Sequence, residues 1–479
     1  MSKFSKKKGE LIVFSIILGF SILLYPNFNL YQVTNNGQLG SDNEPKLKTA
    51  GYWEIGPILI DDDDPTKNWT ITEVSNEWCS GSGLINDPYI IENVTIDASG
   101  FDSGIFIENS NIYFIVRNCS VYNANSRGIR LNRVDHGNLH NNTSSQNNNG
   151  IFINRCNFIN ITNNYILDNS HNGLELSAFC DDNTISGNIA INNDQNGIVL
   201  RQECLFNNIT NNTVSGHTRA GILIQGESNN NNIKYNTVND NPSEGISLYW
   251  SHHNNVSVNK ISNNKRYGIL VKEESSNNII SQNSLIGCGI GFDIGNPATI
   301  TTVSSNSIDA TNLVNGKPLS YYKNEISLQL DNFSNAGQVI LLNCIKSSVS
   351  NLNLSYGGGI SLYFGNNNEI IGNTVNHNYR GISLMRSDSN TISGNTANNN
   401  ENGIYLWDSD HNVISGNILI GNDLCINEIY CVGNTITNNN CGEEGIPFEL
   451  IILISVISGG AAIGVATLLL IRRKRKRKE

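Results

Sequence analysis

The sequence predicts an all-β chain: a right-handed parallel β-helix, a solenoid of about 15 coils, with an N-terminal export signal and a C-terminal transmembrane helix. Three observations carry the solenoid. A Gly followed by an aliphatic residue recurs every 22 to 24 residues, the positions after that Gly alternate apolar and polar, and 82 of the 479 residues are Asn.

The repeat comes first. It reads GIFI at Gly104, GIRL at Gly128, GIFI at Gly150, GLEL at Gly173, GIVL at Gly197, GILI at Gly221, GISL at Gly245 and GILV at Gly268. It returns as GISL at Gly359 and Gly381 and as GIYL at Gly403, while Gly291 and Gly337 lie two coils apart. The second half of the unit also repeats, as NTISGNTANNNEN from Asn390 and NVISGNILIGND from Asn412. The unit therefore reads strand, turn, strand, Asn-rich turn.

Alternation comes second. A period of two puts Ile404 and Leu406 inward and Tyr405 and Trp407 outward. A unit this short cannot bury its apolar face alone, and stacking each coil on the next does so. A leucine-rich repeat has a similar period, but its L-x-x-L-x-L frame is absent.

Asn comes third. It is a poor helix former because its amide competes for backbone hydrogen bonds. In a solenoid the same residue recurs about every 4.8 Å, so amides at one turn can bond up the stack. Asn also tolerates the left-handed backbone of tight corners. Asn188, Asn373, Asn395 and Asn417 and their equivalents are expected in that structural role.

The ends differ from the body. Residues 11 to 25 are apolar behind Lys3, Lys6, Lys7 and Lys8, which reads as a signal peptide or signal anchor over 1–30, with a linker over 31–52. Leu450 to Ile471 gives 22 residues without a charge and runs into RRKRKRK. At about 1.5 Å per residue it matches a hydrocarbon core, with a linker at 443–449 before it and the basic tail 472–479 cytoplasmic. The chain carries a net charge of -11. Without the two basic ends, residues 11 to 471 carry about -20, which sets nucleic acid aside as a partner.

The unit G-I-x-L-x-x-S-x-x-N-x-I-x-x-N, as in Gly381 to Asn395, resembles the repeats of right-handed parallel β-helix proteins, including the NosD-like group of exported proteins. The resemblance covers roughly residues 55 to 442. Gly81 to Gly100 resembles the segment leading such helices into their first coils. Asn312 to Asn324 resembles an insertion found in prokaryotic members, here placed at 310–325. The terminal layout resembles that of prokaryotic cell-surface proteins, archaeal ones in particular. The resemblance implies the fold; such solenoids host lyases, hydrolases, epimerases, adhesins and tailspikes.

An open solenoid needs caps at both ends. Residues 53–103 are expected to form the N-terminal cap and first strands, 104–442 the β-helix, and 425–445, with Cys425, Cys431 and Cys441, the C-terminal cap. Asp61 to Asp64 could hold Ca²⁺, but they lack the alternating spacing and Gly of a calcium loop and read as a solvated acidic turn. Ten cysteines in an exported chain permit disulfides. Cys180 and Cys204 each follow their repeat Gly by seven residues, one rung apart, and are expected as a bridge or a stacked thiol pair. No cysteine or histidine spacing suits a metal, and Met385 is the only Met beyond the initiator, so no copper site is expected. Sequons such as Asn68-Trp-Thr and Asn160-Ile-Thr make glycosylation possible without demanding it.

Two columns of side chains could carry function. The turn before the repeat Gly holds Asp168 and His171, Asp194, His217 and Arg219, Asp240 and Glu244, then Lys265 and Arg266. Beside it stand Glu175, Arg201, Glu203 and Lys272. A His–Arg pair flanked by carboxylates could abstract a proton next to a uronate carboxyl, with Arg219 holding that carboxylate. A solvated charge ladder explains the same pattern. The second column is aromatic: Tyr249, Trp250, Tyr363, Tyr405 and Trp407, expected outward, where rings stack on sugars.

The expectation is a membrane-anchored surface protein with an extracellular solenoid that binds a polysaccharide or mediates surface contacts without catalysis. The alternative is a surface lyase, epimerase or glycoside hydrolase acting on acidic polysaccharide.

Overall fold

The computed structural model describes residues 53–295 and 298–442. The expected export signal, the 450–471 span and the basic tail lie outside the described residues. Among those described, no helix is long and apolar enough to cross a membrane.

The chain winds as a parallel β-helix of about 15 turns. The turn that starts at Gly173 shows the local logic. Strand Leu174–Ser177 joins a ten-stranded sheet, Thr184–Ser186 an eleven-stranded sheet, and Ile189–Ile191 a seventeen-stranded sheet. The second half of the unit, expected as one strand, is thus two, because Gly187 sits between them at φ 68° and turns the corner. Leu174, Leu176, Ile185 and Ala190 point inward with no exposure. Their partners one turn on are Ile198, Leu200, Ile209 and Val214, in strict parallel register. Burying each such Ile or Leu contributes roughly 2 kcal/mol.

Asn ladders line the corners, as expected. In one column Asn188 donates its backbone N–H and its Nδ2 to Asn212 Oδ1, at 2.9 and 3.0 Å, and donates Nδ2 also to the Ile161 carbonyl at 2.8 Å. Asn142 to Asn312 repeat this arrangement over successive turns. The amide thus satisfies backbone groups that a corner would otherwise leave buried and unpaired. The repeat Gly has a packing cause. A Cβ on Gly173 would lie 2.7 Å from the Gly197 carbonyl oxygen and 2.8 Å from Asn193 Nδ2.

At the N-terminal end, helix Trp69–Ser75 starts where Asn68 accepts the Ile71 N–H at 3.0 Å. Its Trp69 stacks on Tyr89 at 5.1 Å and closes the first core layer.

The turns divide into two arms. Val314 pairs antiparallel with Lys317 across Asn315-Gly316, both left-handed, as a two-residue hairpin. The 310–325 segment is therefore the place where strand direction reverses. Beyond it, strands such as Arg380–Met385 extend the seventeen-stranded sheet, Thr391–Ser393 belongs to a five-stranded sheet, and the third side of each turn is a single bridge, as at Thr396.

The second arm lies against the last turns of the first. Gln338 donates Nε2 to the Ile290 carbonyl at 2.6 Å and accepts the Ile290 N–H at 2.9 Å, which closes the free edge of the ten-stranded sheet. The Phe292 N–H donates to the Tyr363 hydroxyl at 3.0 Å, Tyr267 meets Tyr379 edge-on at 5.3 Å, and Lys265 Nζ lies 3.8 Å from Glu401. Residues 338, 363 and 386 of the second arm thus meet 290, 292 and 298 of the first, while 379 and 401 meet 267 and 265. Cys425–Cys441 bridges the far end, with Cα atoms 5.6 Å apart.

Candidate functional site

The structure does not assemble the proton-transfer site expected around His217. The His217 ring has no exposure, because it occupies an Asn rung. Its Nδ1 accepts the Asn193 N–H at 3.1 Å and its Nε2 donates to the Ala190 carbonyl at 3.0 Å. Burial pushes its pKa down to about 4. Glu244 is buried and faces Lys272 at 3.3 Å. Glu175 has no exposure; it pairs with Arg201 and accepts Asn172 Nδ2 at 2.8 Å. Asp194, Arg219 and Asp240 stay exposed at their corners, Asp240 accepting Asn263 Nδ2 at 3.3 Å. Among the described residues Arg219 forms no ion pair.

The aromatic column splits. Trp250 is 43% exposed and stacks on Tyr249 at 6.5 Å, as an outward position should be. Tyr363 has no exposure and Tyr405 is buried, against the expectation that both face solvent. The outer face of their sheet is the one pressed onto the first arm, where Tyr363 meets Phe292 edge-on at 5.3 Å and Arg380 covers the Tyr405 ring at 3.6 Å. Trp407 is half-buried beneath Arg386.

Cys180 and Cys204 are free, buried thiols, so the bridge expected as one option is not formed and the stacked pair is. The acidic turn is consumed locally. Asp61 accepts Asn109 Nδ2 at 2.9 Å, Asp62 accepts Ser110 Oγ at 2.5 Å, and Asp64 pairs with Lys67 at 2.9 Å.

Where the arms meet, a cleft of about 430 Å³ remains. Lys265 and Arg266 form one wall; Tyr356, His377, Tyr379, Glu401 and Asp423 come from the other arm. Tyr356 and His377 stack at 4.5 Å with planes 8° apart. Both are left-handed, at φ 59° and 57°, at a corner where the next two turns carry Asn399 and Gly421. A ring there costs roughly 1 kcal/mol or more of backbone strain. Burial does not offset that cost, since Tyr356 is 56% exposed. Asn315, in the reversal hairpin, donates Nδ2 to the Tyr356 carbonyl at 2.8 Å and so fixes the platform to the junction. Arg266 reaches over the Tyr379 ring at 5.7 Å.

The sequence reading placed Lys265 and Arg266 in the charged column but missed Tyr356 and His377. The signal was available: at a corner that favours Asn or Gly, two successive turns carry a ring.

Comparisons with known proteins follow the fold. The family described as "Periplasmic copper-binding protein (NosD)" matches residues 177–319 and 294–451, and the one described as "Right handed beta helix region" matches 67–238. No curated protein matches. Among solved structures, the periplasmic alginate epimerase AlgG is 14% identical over 82% of this chain and 87% of its own, with a TM-score of 0.28. DFA-IIIase from Arthrobacter chlorophenolicus A6, in complex with GF2, is 13% identical over 75% and 94%, at 0.30. The Azotobacter vinelandii mannuronan C-5 epimerase AlgE4 A-module is 13% identical over 74% and 83%, at 0.19. Superpositions this loose carry no inference about activity.

The copper in the first family's description can be tested on the residues. Among those described, no three His, Cys, Asp or Glu side chains converge on one point. Met385 is 3% exposed in the junction core. This donor set does not fit a copper centre.

Proposed function

The chain belongs to the NosD family of right-handed β-helix proteins, and on that premise we propose that it is a membrane-anchored cell-surface protein whose inter-arm cleft binds glycan without transforming it. The Tyr356–His377 platform carries the reading. Two parallel rings, strained into place and left open, present the flat apolar face on which a sugar ring's C–H groups stack. Lys265, Arg266, Glu401 and Asp423 surround the platform with the donors and acceptors that hydroxyl groups need. Anchoring rests on the uncharged 450–471 run and its basic tail, and export on residues 11–25.

A lyase, epimerase or hydrolase at the charged face would need a free proton-transfer group. His217, the base of that scheme, has both ring nitrogens engaged and Glu175 and Glu244 are each paired with a cation, so the exposed Asp194 and Asp240 have no free His217 imidazole to work with. Binding is therefore the reading favoured.

The test is a glycan array probed with the full chain in detergent, beside Tyr356→Ala and His377→Ala. The expected result is saccharide binding that falls at least tenfold in either variant. Hits that survive both substitutions would move the site elsewhere, and an unsaturated or epimerised product would replace binding with catalysis.

A further inference from the structure

The outer face of the ten-stranded sheet carries a second cluster, well before the cleft in the chain. Phe106, Arg130, Phe152 and Glu175 succeed one another in register on that face, with Arg127 beside them and Arg201 paired to Glu175. The rings order the cations. Arg130 lies over Phe106 at 4.1 Å and Arg127 over Phe152 at 4.2 Å, so each guanidinium has its plane set by the ring beneath it.

The charges do not balance. Asp102 takes Arg130 at 3.3 Å and Glu175 takes Arg201, but Arg127 has only the Ser126 hydroxyl, at 2.8 Å. Among the described residues no carboxylate pairs with Arg127. The Nε atoms of Arg127, Arg130 and Arg201 are shut off from solvent without a hydrogen-bond partner. Three partly buried guanidiniums, each with its Nε unpartnered, thus face two carboxylates. Burial, and after it the charge of Arg130, pushes the Arg127 pKa down, while Asp102 and Glu175 act the other way. Holding an unneutralised cation there costs free energy unless something offsets it.

We propose that Arg127, with Arg130 and Arg201 around it, is an oxyanion-binding site for a sulfate or carboxylate group, separate from the inter-arm cleft. The guanidinium fork suits two-point contact with either anion. Such a site puts a local cationic point on a strongly acidic surface. A polyanion would be steered to it rather than spread along the arm.

The test uses the full chain with sodium sulfate and sodium acetate as probes, by calorimetry and thermal unfolding at constant ionic strength set with chloride. Saturable binding of at least one probe is expected, with a rise in melting temperature. A preference for sulfate or for acetate identifies the natural group. Arg127→Met should abolish the response, and Arg127→Lys, which keeps the charge but not the fork, should weaken it at least tenfold. Arg219→Met, at an exposed corner, should leave it unchanged. A response no larger than that to chloride, or one that survives Arg127→Met in a variant with wild-type circular dichroism, overturns the proposal.

Discussion

The backbone N–H of Asn193 donates to His217 Nδ1 at 3.1 Å, the same bond that Asn169 gives to Asn193 Oδ1 one turn earlier, also at 3.1 Å. The imidazole is an honorary asparagine. It holds the ladder only while neutral, because protonated Nδ1 would turn a donor toward a donor.

That makes His217 an acid-sensitive rung. Its folded pKa of about 4 lies below the ordinary 6.5, so between those values the unfolded chain binds more protons than the folded one. Its contribution is complete above about pH 6.5 and is lost as the pH falls to 4, of the order of 3 kcal/mol. His217→Asn should keep the fold and remove this share of the acid loss, read from urea unfolding at pH 7 and pH 4.5. An unchanged difference between the two pH values would refute the assignment.

Asn188→Ala removes four side-chain hydrogen bonds in the middle of a column: Nδ2 to the Ile161 carbonyl and to Asn212 Oδ1, and those that Oδ1 accepts from the Asn164 N–H and Nδ2. A loss of about 3 kcal/mol is expected. Hydrogen exchange should show it concentrated in the turns on either side of residue 188 rather than spread over both arms.

Gln338→Ala should loosen the junction. It uncovers the N–H and the carbonyl of Ile290, each worth about 1–3 kcal/mol when buried without a partner. Chymotrypsin should then cut within the junction faster than in the wild type, with the cores of the separate arms still protected.

Cysteine chemistry separates the two thiol classes. Alkylation in denaturant without reductant should label Cys180 and Cys204, while Cys425 and Cys441 react only after reduction. A tryptic peptide joining residues 180 and 204 by a disulfide would contradict this.

The repeat, the inward Ile and Leu and the Asn ladders were legible because each is periodic, and periodicity survives in one dimension. His217 was misread for the same reason. The column revealed an ionisable group but not that its neighbours Asn193 and Asn241 make the position a rung. Alternation gives the face of a strand for Tyr363 and Tyr405 but not what covers it: Phe292, 71 positions away, covers Tyr363, and Arg380 from the preceding turn covers Tyr405. The arm reversal did leave a local mark: Asn315-Gly316, after Leu313 and Val314, is a strong hairpin signal. The repeat continues beyond it, so in one dimension it reads as part of an insertion.

The Gln338 and Tyr363 contacts give the molecule a fixed ruler. Among the described residues, strands of the turns from Gly104 to Gly221 pair only with those of neighbouring turns, so a whole 24-residue unit could be deleted or duplicated there and the remainder would close up in register. Turns from Gly245 to Gly291 face particular counterparts on the second arm, and a unit gained or lost among them would slide every pairing by one rung. Length variation in this fold should therefore accumulate on the amino-terminal side of the junction, leaving the cleft's dimensions constant while the arm that presents it grows or shrinks.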